Sequence, residues 1–418
     1  MKKVLVLGGN IPHRNLIKKL KERGYYTILV DYLDNPPAKE LADIHYQTSI
    51  LDVDSVIEVA EKERPDMIMN LCVDRAMPVM AYVGDKLGIR TLFDYETALN
   101  VTDKGRMKAV FKDNGIGTAD FAVVDKSSNI DKLDFKFPVV VKPVDASGSI
   151  GVRKIETKAE LKDFLPEEFE ISRSGKVIIE EFIDDLEVSI DCFVSDNKID
   201  ILLVRQKLKK KSKTSLSYPL GSIILKDFPC NSESNIRKIA RKIVDSFHLN
   251  NTPFFLQAFI SKSGELSMIE FGARIGGGMS FQIIETVTGF DIMGASIDCY
   301  EGKKPDISYR APEFVYSTNY IFTKPGVFDS FVGLDDLVSK NIVEKFVILV
   351  SKGHLSDGAV ASRNKTGYFL VKDRTIHDLF DKIRLIVAEI DVLNPEGNSI
   401  MDKTLFEETL TEVEPYYS

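Results

Sequence analysis

The stretch from Phe254 to Gly278, reading PFFLQAFISKSGELSMIEFGARIGGG from Pro253, constrains this chain more than any other. Two β-rich runs, FFLQAFI and ELSMIEF, flank a Ser263-Gly264 dipeptide whose glycine is free to turn the backbone, so an antiparallel hairpin is expected. With those two residues as the loop, Lys262 pairs with Glu265 and the ladder brings Gln257 opposite Glu270. Directly opposed residues share a face, with Cβ atoms about 4.5–5.5 Å apart. Gln257 and Glu270 then point together as two oxygen donors, with Arg274 a few residues beyond. A hard cation such as Mg²⁺ takes oxygen ligands and completes its shell with water and phosphate. An adjacent arginine suits a phosphate or acyl phosphate, because its planar fork binds oxyanions bidentately. An ordinary hairpin with polar residues facing water fits the same letters.

Composition removes several classes. The 418 residues are 44% hydrophobic and 28% charged, long enough for two or three globular domains. A net charge of −8 supplies no basic field for nucleic acid. Cys72, Cys192, Cys230 and Cys299 are scattered without CxxC spacing, as expected of reduced thiols in a cytoplasmic protein. The five histidines form no HxxxH pair, which argues against a histidine metal site or a histidine-based triad. The opening MKKVLVLGGN has too short an apolar run for a signal peptide, and no stretch approaches the roughly 20 residues needed to cross a bilayer. A soluble protein without membrane contact is expected.

The first segment alternates strand and helix. KKVLVLGGN reads as a buried parallel strand, HRNLIKKLKERG as an amphipathic helix stopped by Gly24, and YYTILVD as the next strand. This βαβ pattern continues through SVIEVAEKERP, DMIMNLCV and MPVMAYVGDKLG, so an open α/β domain occupies the first roughly 95 residues. Asp31 stands where a dinucleotide site places its ribose-binding acid, but Gly8 to His13 does not spell GxGxxG and the fingerprint fails. Ligands of such a domain sit at the carboxyl ends of the strands, here near Gly8–Asn10 and Cys72–Arg75.

Beyond Thr91 the texture changes. TDKGRMKAVFKDNGI reads as a helix with Thr102 as N-cap and Gly115 as its stop. Lys104 in its first turn opposes the helix dipole unless an anion binds there; a solvated lysine is the plain alternative. FPVVVK is an apolar strand ending in Lys142, VRKI resumes a strand, and Ser147, Gly148, Ser149 and Gly151 lie between them. A Gly/Ser loop lets backbone N–H groups approach phosphate, and the absence of GK[ST] before a helix excludes Walker A. KVIIEEFIDDLEVSIDCFV reads as two strands around an Asp184-Asp185 turn, with Glu187, Ser189 and Asp191 on one face. Glu180 and Glu181 interrupt an apolar run; if buried they need partners, and an adenine amino group with ribose hydroxyls would serve. The basic run Arg205 to Lys213 fits a solvated loop or a flap closing on triphosphate. SNIRKIARKIVDSFHL and FQIIETVTGFDIMGASIDCYEGK are helical, and from about residue 305 short strands lead to a last helix, TIHDLFDKIRLIVAEI, and a polar tail.

TDKGRMK, FPVVVKP with its SGSIG loop, VIIEEFIDDLEVSID and IEFGARIGGG follow one another as in the ATP-grasp superfamily, in the branch of biotin carboxylase, the purine-pathway ligases and the L-amino-acid ligases. The resemblance spans nearly the whole chain. It implies an α/β ATP-grasp fold with a Rossmann-like pre-grasp domain over 1–97, the ATP-grasp domain over 98–304 with a lid at about 115–184, and a C-terminal α+β subdomain over 305–418. It further implies that Lys104 and Lys142 hold ATP phosphates under a lid loop of Ser147 to Gly151. By the same resemblance Glu180, Glu181, Phe182 and Ile183 form the adenine hinge and Glu187 binds ribose. Glu270 would ligate Mg²⁺ (or Mn²⁺), and Arg274 would stabilise an acyl phosphate. The sequence departs from the family where a first glutamate ligand reads Gln257 and where an ExN motif reads Glu270-Phe271-Gly272, so one metal ion is expected rather than two. The implied activity joins a carboxylate, such as that of an amino acid, to an amine with release of ADP and phosphate. ARIGGG resembles the L-amino-acid ligases more than biotin carboxylase. The implied partners are small molecules, with no nucleic acid, and homodimers occur among such relatives. Two other readings stand beside it: a purine-pathway enzyme holding a ribosyl phosphate at Gly8–Asn10, and a non-catalytic ATP-binding protein.

Overall fold

The computed structural model describes residues 1–146, 151–209, 219–360 and 364–414. The chain divides into two compact units. Met1–Asp185, Ile190–Leu203 and Cys230–Arg310 form the first, and Leu186–Ser189, Val204–Pro229 and Ala311–Ser418 the second.

The first unit begins as the alternation requires. Strands β1 (Lys3–Leu7), β2 (Tyr26–Asp31), β3 (Ile44–Gln47) and β4 (Met67–Met69) form a parallel sheet in the order β3-β2-β1-β4. Helices α1 (Ile11–Glu22) and α2 (Val53–Glu63) are the crossovers, and α3 (Met77–Leu87) follows β4. Leu5, Leu7, Ile28, Val30 and Ile68 of the sheet pack on Val56, Ala60, Met80 and Val83 of α2 and α3. Asn10 starts α1 by accepting the His13 N–H, and Pro12 in the first turn has its φ preset for a helix. Asp31 is occupied by the glycine turn: its Oδ2 accepts the Gly9 N–H at 2.7 Å and its Oδ1 the Leu33 N–H at 2.9 Å.

Helices α4 (Tyr95–Thr102) and α5 (Lys104–Asp113) come next. The cap of α5 is Asp103, which accepts the Arg106 N–H at 2.9 Å. Thr102, expected in that role, instead closes α4 and donates to Ala98 O at 2.7 Å. A carboxylate satisfies an orphan amide and also complements the positive helix end, so aspartate is the stronger cap. Strands β5 (Phe121–Val124), β6 (Val139–Pro143), β7 (Arg153–Ile155) and β8 (Val177–Glu181) form an antiparallel sheet in the order β5-β8-β6-β7. Val139, Val141, Ile155 and Ile179 of this sheet pack on Leu161 and Leu165 of α6 (Lys158–Ile171). The next strand, β9 (Leu186–Ser195), belongs to a different sheet. Asp184-Asp185 therefore joins two sheets rather than two paired strands.

After β9 come β10 (Lys198–Lys209), β11 (Pro219–Ile224), α7 (Glu233–Ser246), β12 (Thr252–Ile260), β13 (Leu266–Gly272), α8 (Ser280–Thr288) and α9 (Ile292–Tyr300). Within the first unit the strand order is β13-β12-β9-β10. Helix α7 buries Ile236, Ile239, Ala240, Ile243 and Val244, one stripe at helical spacing.

In the second unit the end of β10 pairs with β11, β11 with Val315–Phe322, that strand with Lys365–Asp373, and the last with Lys345–Ile348. The basic run is thus strand through Lys209, because each residue from Arg205 finds a ladder partner on β11; Lys210–Lys213 lie outside the described residues. Helices Ile376–Glu389 and Thr404–Val413 cover this core. The second of them lies in the segment that reads as a polar tail, and it buries Phe406, Leu410 and Val413 on one face. The four cysteines are free thiols, and among the described residues no helix is long and apolar enough to cross a membrane.

Candidate functional site

The organising hairpin is β12–β13, and Gln257 pairs directly with Glu270. The turn that produces this pairing differs from the expected one. Ser261 N–H donates to Glu265 O at 3.0 Å and Gly264 N–H to Ser261 O at 2.9 Å, so the loop is Lys262-Ser263-Gly264 and the first pair is Ile260 with Leu266. Gly264 takes φ +81°, which suits a three-residue loop. That register is one residue away from the expected one, and a bulge restores it: Ala258 pairs with Met268 but Gln257 with Glu270, leaving Ile269 as the extra residue. The two displacements cancel at the position that matters.

Glu270 faces the amino end of α5. Its Oε2 lies 3.6 Å from Lys104 Nζ, which also donates to Ala146 O at 2.5 Å. Lys142, near the end of β6, is buried with its Nζ 3.0 Å from Glu180 Oε2. The other oxygen of Glu180 lies 3.1 Å from Lys108 Nζ. Burial pushes the Glu180 carboxyl up, but Lys142 and Lys108 together outweigh it and hold the group below its ordinary value. Lys108, fully buried, is pushed down to about 8 by desolvation despite the attraction of Glu180. The partners that Glu180 requires are therefore lysines. Glu181 is part-exposed, and the amides of Glu181 and Phe182 donate to Asp120 O and Pro138 O at 3.0 and 3.2 Å. Phe182 stands under the Lys154 ammonium, 4.5 Å from ring centroid to Nζ, and Ile183 follows it, part-buried.

Arg274 is buried two residues past β13. Its Nε donates to Asp74 Oδ1 at 2.5 Å, its Nη2 to Asp74 Oδ2, and its Nη1 to Ile275 O at 2.8 Å. Its guanidinium lies 4.8 Å from the centroid of Phe255. Phe255 pairs across the ladder with Gly272, where a Cβ would stand 3.0 Å from Cζ of the ring and closer still to Cε1. The glycine that replaces the expected asparagine thus makes room for the ring on which Arg274 lies. Burial lowers the guanidinium's affinity for its proton, but Asp74 more than compensates, and Asp74 in turn is held below the usual carboxylate range.

Of the lid loop, Ser147, Gly148 and Ser149 lie outside the described residues. Gly151 has φ +69°, and a Cβ there would come 2.8 Å from Cδ of Pro143 and closer to Oε2 of Glu168. Glu187 belongs to the second unit, where it is buried and paired with Lys209.

The structure thus brings Lys104, Lys142, Glu180, Gln257, Glu270 and Arg274 into one unit, where Lys104 meets Glu270, Glu270 pairs with Gln257 across the ladder, and Lys142 meets Glu180. Sequence reasoning missed Lys108, and reached Asp74 only as part of the Cys72–Arg75 strand end. Lys108 falls one turn after Lys104, between the buried Met107 and Phe111, a position where a lysine is out of place on a solvated face. Asp74 follows β4, at the strand end where open α/β sheets hold ligands. Among the described residues no group of three or more His, Cys, Asp or Glu is placed to hold a metal. Glu270 with Gln257 fits a magnesium ion that brings phosphate and water for the rest of its shell, as Mg²⁺ commonly does.

Residues 135–282 match the ATP-grasp domain family. The chain is 28% identical over 228 residues to a formate-dependent phosphoribosylglycinamide formyltransferase of Hydrogenovibrio crunogenus, covering 53% of this chain and 54% of that one. It is 23% identical over 269 residues to an L-arginine-specific L-amino acid ligase of Bacillus subtilis, covering 63% and 65%. The chain therefore spans about half to two thirds of the length of these curated relatives. Its fold superposes on the L-amino acid ligase of Bacillus licheniformis with a TM-score of 0.77 at 19% identity, over 94% of this chain and 99% of that one. Residues 135–282 therefore carry an ATP-grasp domain, and the chain as a whole has the α/β ATP-grasp fold.

Proposed function

We propose that the protein is an ATP- and Mg²⁺-dependent carboxylate–amine ligase that forms an amide or peptide bond, with an amino acid or similar small acid as the carboxylate. The observation that carries this reading is the approach of Lys104 to Glu270 across α5 and β13, a cation beside the carboxylate that we propose as the magnesium ligand. In this reading residues 1–97 are the pre-grasp domain, 98–304 the grasp and 305–418 the C-terminal subdomain. Lys104 and Lys142 bind the ATP phosphates, Gly151 lies on the segment that leads to them, and Glu181 to Ile183 receive adenine.

The chemistry is phosphoryl transfer followed by acyl transfer. A carboxylate oxygen of the substrate attacks the γ-phosphorus while the bond to the β–γ bridging oxygen breaks and ADP leaves. The amine nitrogen then attacks the carbonyl carbon of the acyl phosphate, phosphate departs with the bonding pair, and the nitrogen loses a proton. Lys104 and Lys142 offset charge spread over the transferring oxygens, and Arg274 stabilises the acyl phosphate. Magnesium, held by Glu270 and Gln257, would supply further charge neutralisation at the phosphates.

Amide donation in the first domain supports an amino-acid carboxylate over a ribosyl phosphate. Gly8 N–H is donated to Val30 O at 2.9 Å and Gly9 N–H to Asp31, so the glycine pair has already committed its donors. The test is phosphate release from MgATP against amino acids, singly and in pairs, with mass spectrometry of products. A pair that yields ADP and a condensed product supports the proposal and names both substrates. Release stimulated by ribonucleotides, or by nothing, rejects it in favour of the purine-pathway or the non-catalytic reading.

A further inference from the structure

We propose that Lys108 is a positioning residue that lets Lys142 exchange Glu180 for the phosphates of ATP, an inference resting on the reading of Lys142 as a phosphate ligand. Glu180 divides its carboxylate between two ammonium groups, Oε2 to Lys142 at 3.0 Å and Oε1 to Lys108 at 3.1 Å. All three side chains are at least nine-tenths buried. A lone buried carboxylate paired to one lysine would hold that lysine firmly, because its departure leaves an uncompensated charge in a low-dielectric site. With Lys108 in place, Glu180 stays paired whether or not Lys142 is present.

Lys108 is itself held in place. Its Nζ donates to Thr118 Oγ1 at 2.6 Å, and Thr118 Oγ1 donates to Met268 O at 2.7 Å, two residues before Glu270 on β13. The Phe121 ring lies 5.9 Å away. Lys108 thus joins α5, which carries Lys104, to β8, which carries Glu180, and through Thr118 to the strand of Glu270. An apolar residue between Met107 and Phe111 would pack there without desolvating a charge, and burial weakens the hold of Lys108 on its proton. A charge kept at such a cost has a use in the site.

The test is equilibrium binding of MgATP to the full chain, without other substrate, for wild type, Lys108→Met, Glu180→Gln and Lys108→Met/Glu180→Gln. Lys108→Met is expected to weaken ATP about tenfold or more, by trapping Lys142 on Glu180. The double variant is expected to recover to the affinity of Glu180→Gln alone, since removing the carboxylate's charge removes the trap. A purely structural role for Lys108 would leave the loss in place in the double variant, and that outcome overturns the proposal. Wild-type affinity in Lys108→Met overturns it as well. If Lys108→Met does not fold, Glu180→Gln decides alone: freed of its partner, Lys142 should bind ATP at least as tightly as in wild type, and weaker binding overturns the proposal. Failure of the wild-type chain to bind ATP removes the functional reading itself, whereas normal wild-type binding with an unaffected variant removes only this inference.

Discussion

Asp74 and Arg274, two hundred residues apart, meet edge to edge: both carboxylate oxygens of the first accept from the guanidinium of the second. The pair fixes the arginine's plane over Phe255 and aims its remaining Nη1 edge at the chain after β13. Asp74→Asn keeps the shape but leaves a buried cation half-paired. It should cost about 3 kcal/mol, the low end for breaking a buried pair because Asp74 is part-exposed. Urea unfolding checks the stability. Turnover should fall in Asp74→Asn and vanish in Arg274→Ala, and full activity in Arg274→Ala would remove that residue from the mechanism.

In the proposed metal site Gln257 and Glu270 would supply one negative charge, where the family that the sequence resembles usually has two. Gln257→Glu should lower the Mg²⁺ concentration giving half-maximal ADP release, because a second carboxylate opposes the first across the ladder. Without Mg²⁺ the same variant should melt earlier, through repulsion of the two like charges. Glu270→Ala should abolish ADP release at any Mg²⁺ concentration while the fold persists. A Gln257→Glu enzyme with unchanged metal dependence would show that residue 257 is not a ligand.

Glu168, on α6, is buried with one carboxylate oxygen that finds no partner among the described residues, and desolvation foremost pushes its carboxyl up to about 7. A raised carboxyl pKa means the folded state holds the proton more tightly than the unfolded chain. The associated stability is complete below the ordinary value of 4.5 and is lost as pH rises through about 7. Wild type should lose roughly 1–3 kcal/mol across that window from this group. Glu168→Gln, neutral throughout, should lack that loss and melt later than wild type at pH 8. Parallel thermal melts at pH 5 and pH 8 decide it.

Gly151→Ala tests the approach of the chain to Pro143 and Glu168. The φ of +69° and the overlap of a Cβ with both neighbours predict a loss of about 1–3 kcal/mol. If the segment covers phosphate, KM for ATP should rise more than KM for the other substrates. Equal rises would mean that the glycine serves the fold alone.

Much of the architecture was legible because burial leaves a periodic trace. VLVL and ILV in β1 and β2, with the intervening stripe of Leu16, Ile17 and Leu20 on α1, can bury their apolar faces only as strand–helix–strand. Lys104, Lys142 and Glu270 were readable because each stands at the end of such an element or in a matching motif. The turn of β12–β13 was not. A three-residue loop and a bulge at Ile269 displaced the register twice, and only their cancellation kept Gln257 opposite Glu270. The helix Thr404–Val413 and the continuation of β10 through Arg205–Lys209 were hidden for the opposite reason, since charged letters masked segments that are ordered by what they pack or pair against.

By itself the sequence determined the alternating first domain, the order of the strand-end motifs and the existence of the β12–β13 hairpin. Each depends on neighbours along the chain, where local periodicity and spacing act. Only the tertiary structure decided which charges neutralise which. That Glu180 lies between Lys108 and Lys142, and that Asp74 holds Arg274, depends on distances between elements tens to hundreds of residues apart in the chain. Electrostatic pairing falls off with separation in space and with exposure to water, and no spacing of letters encodes either.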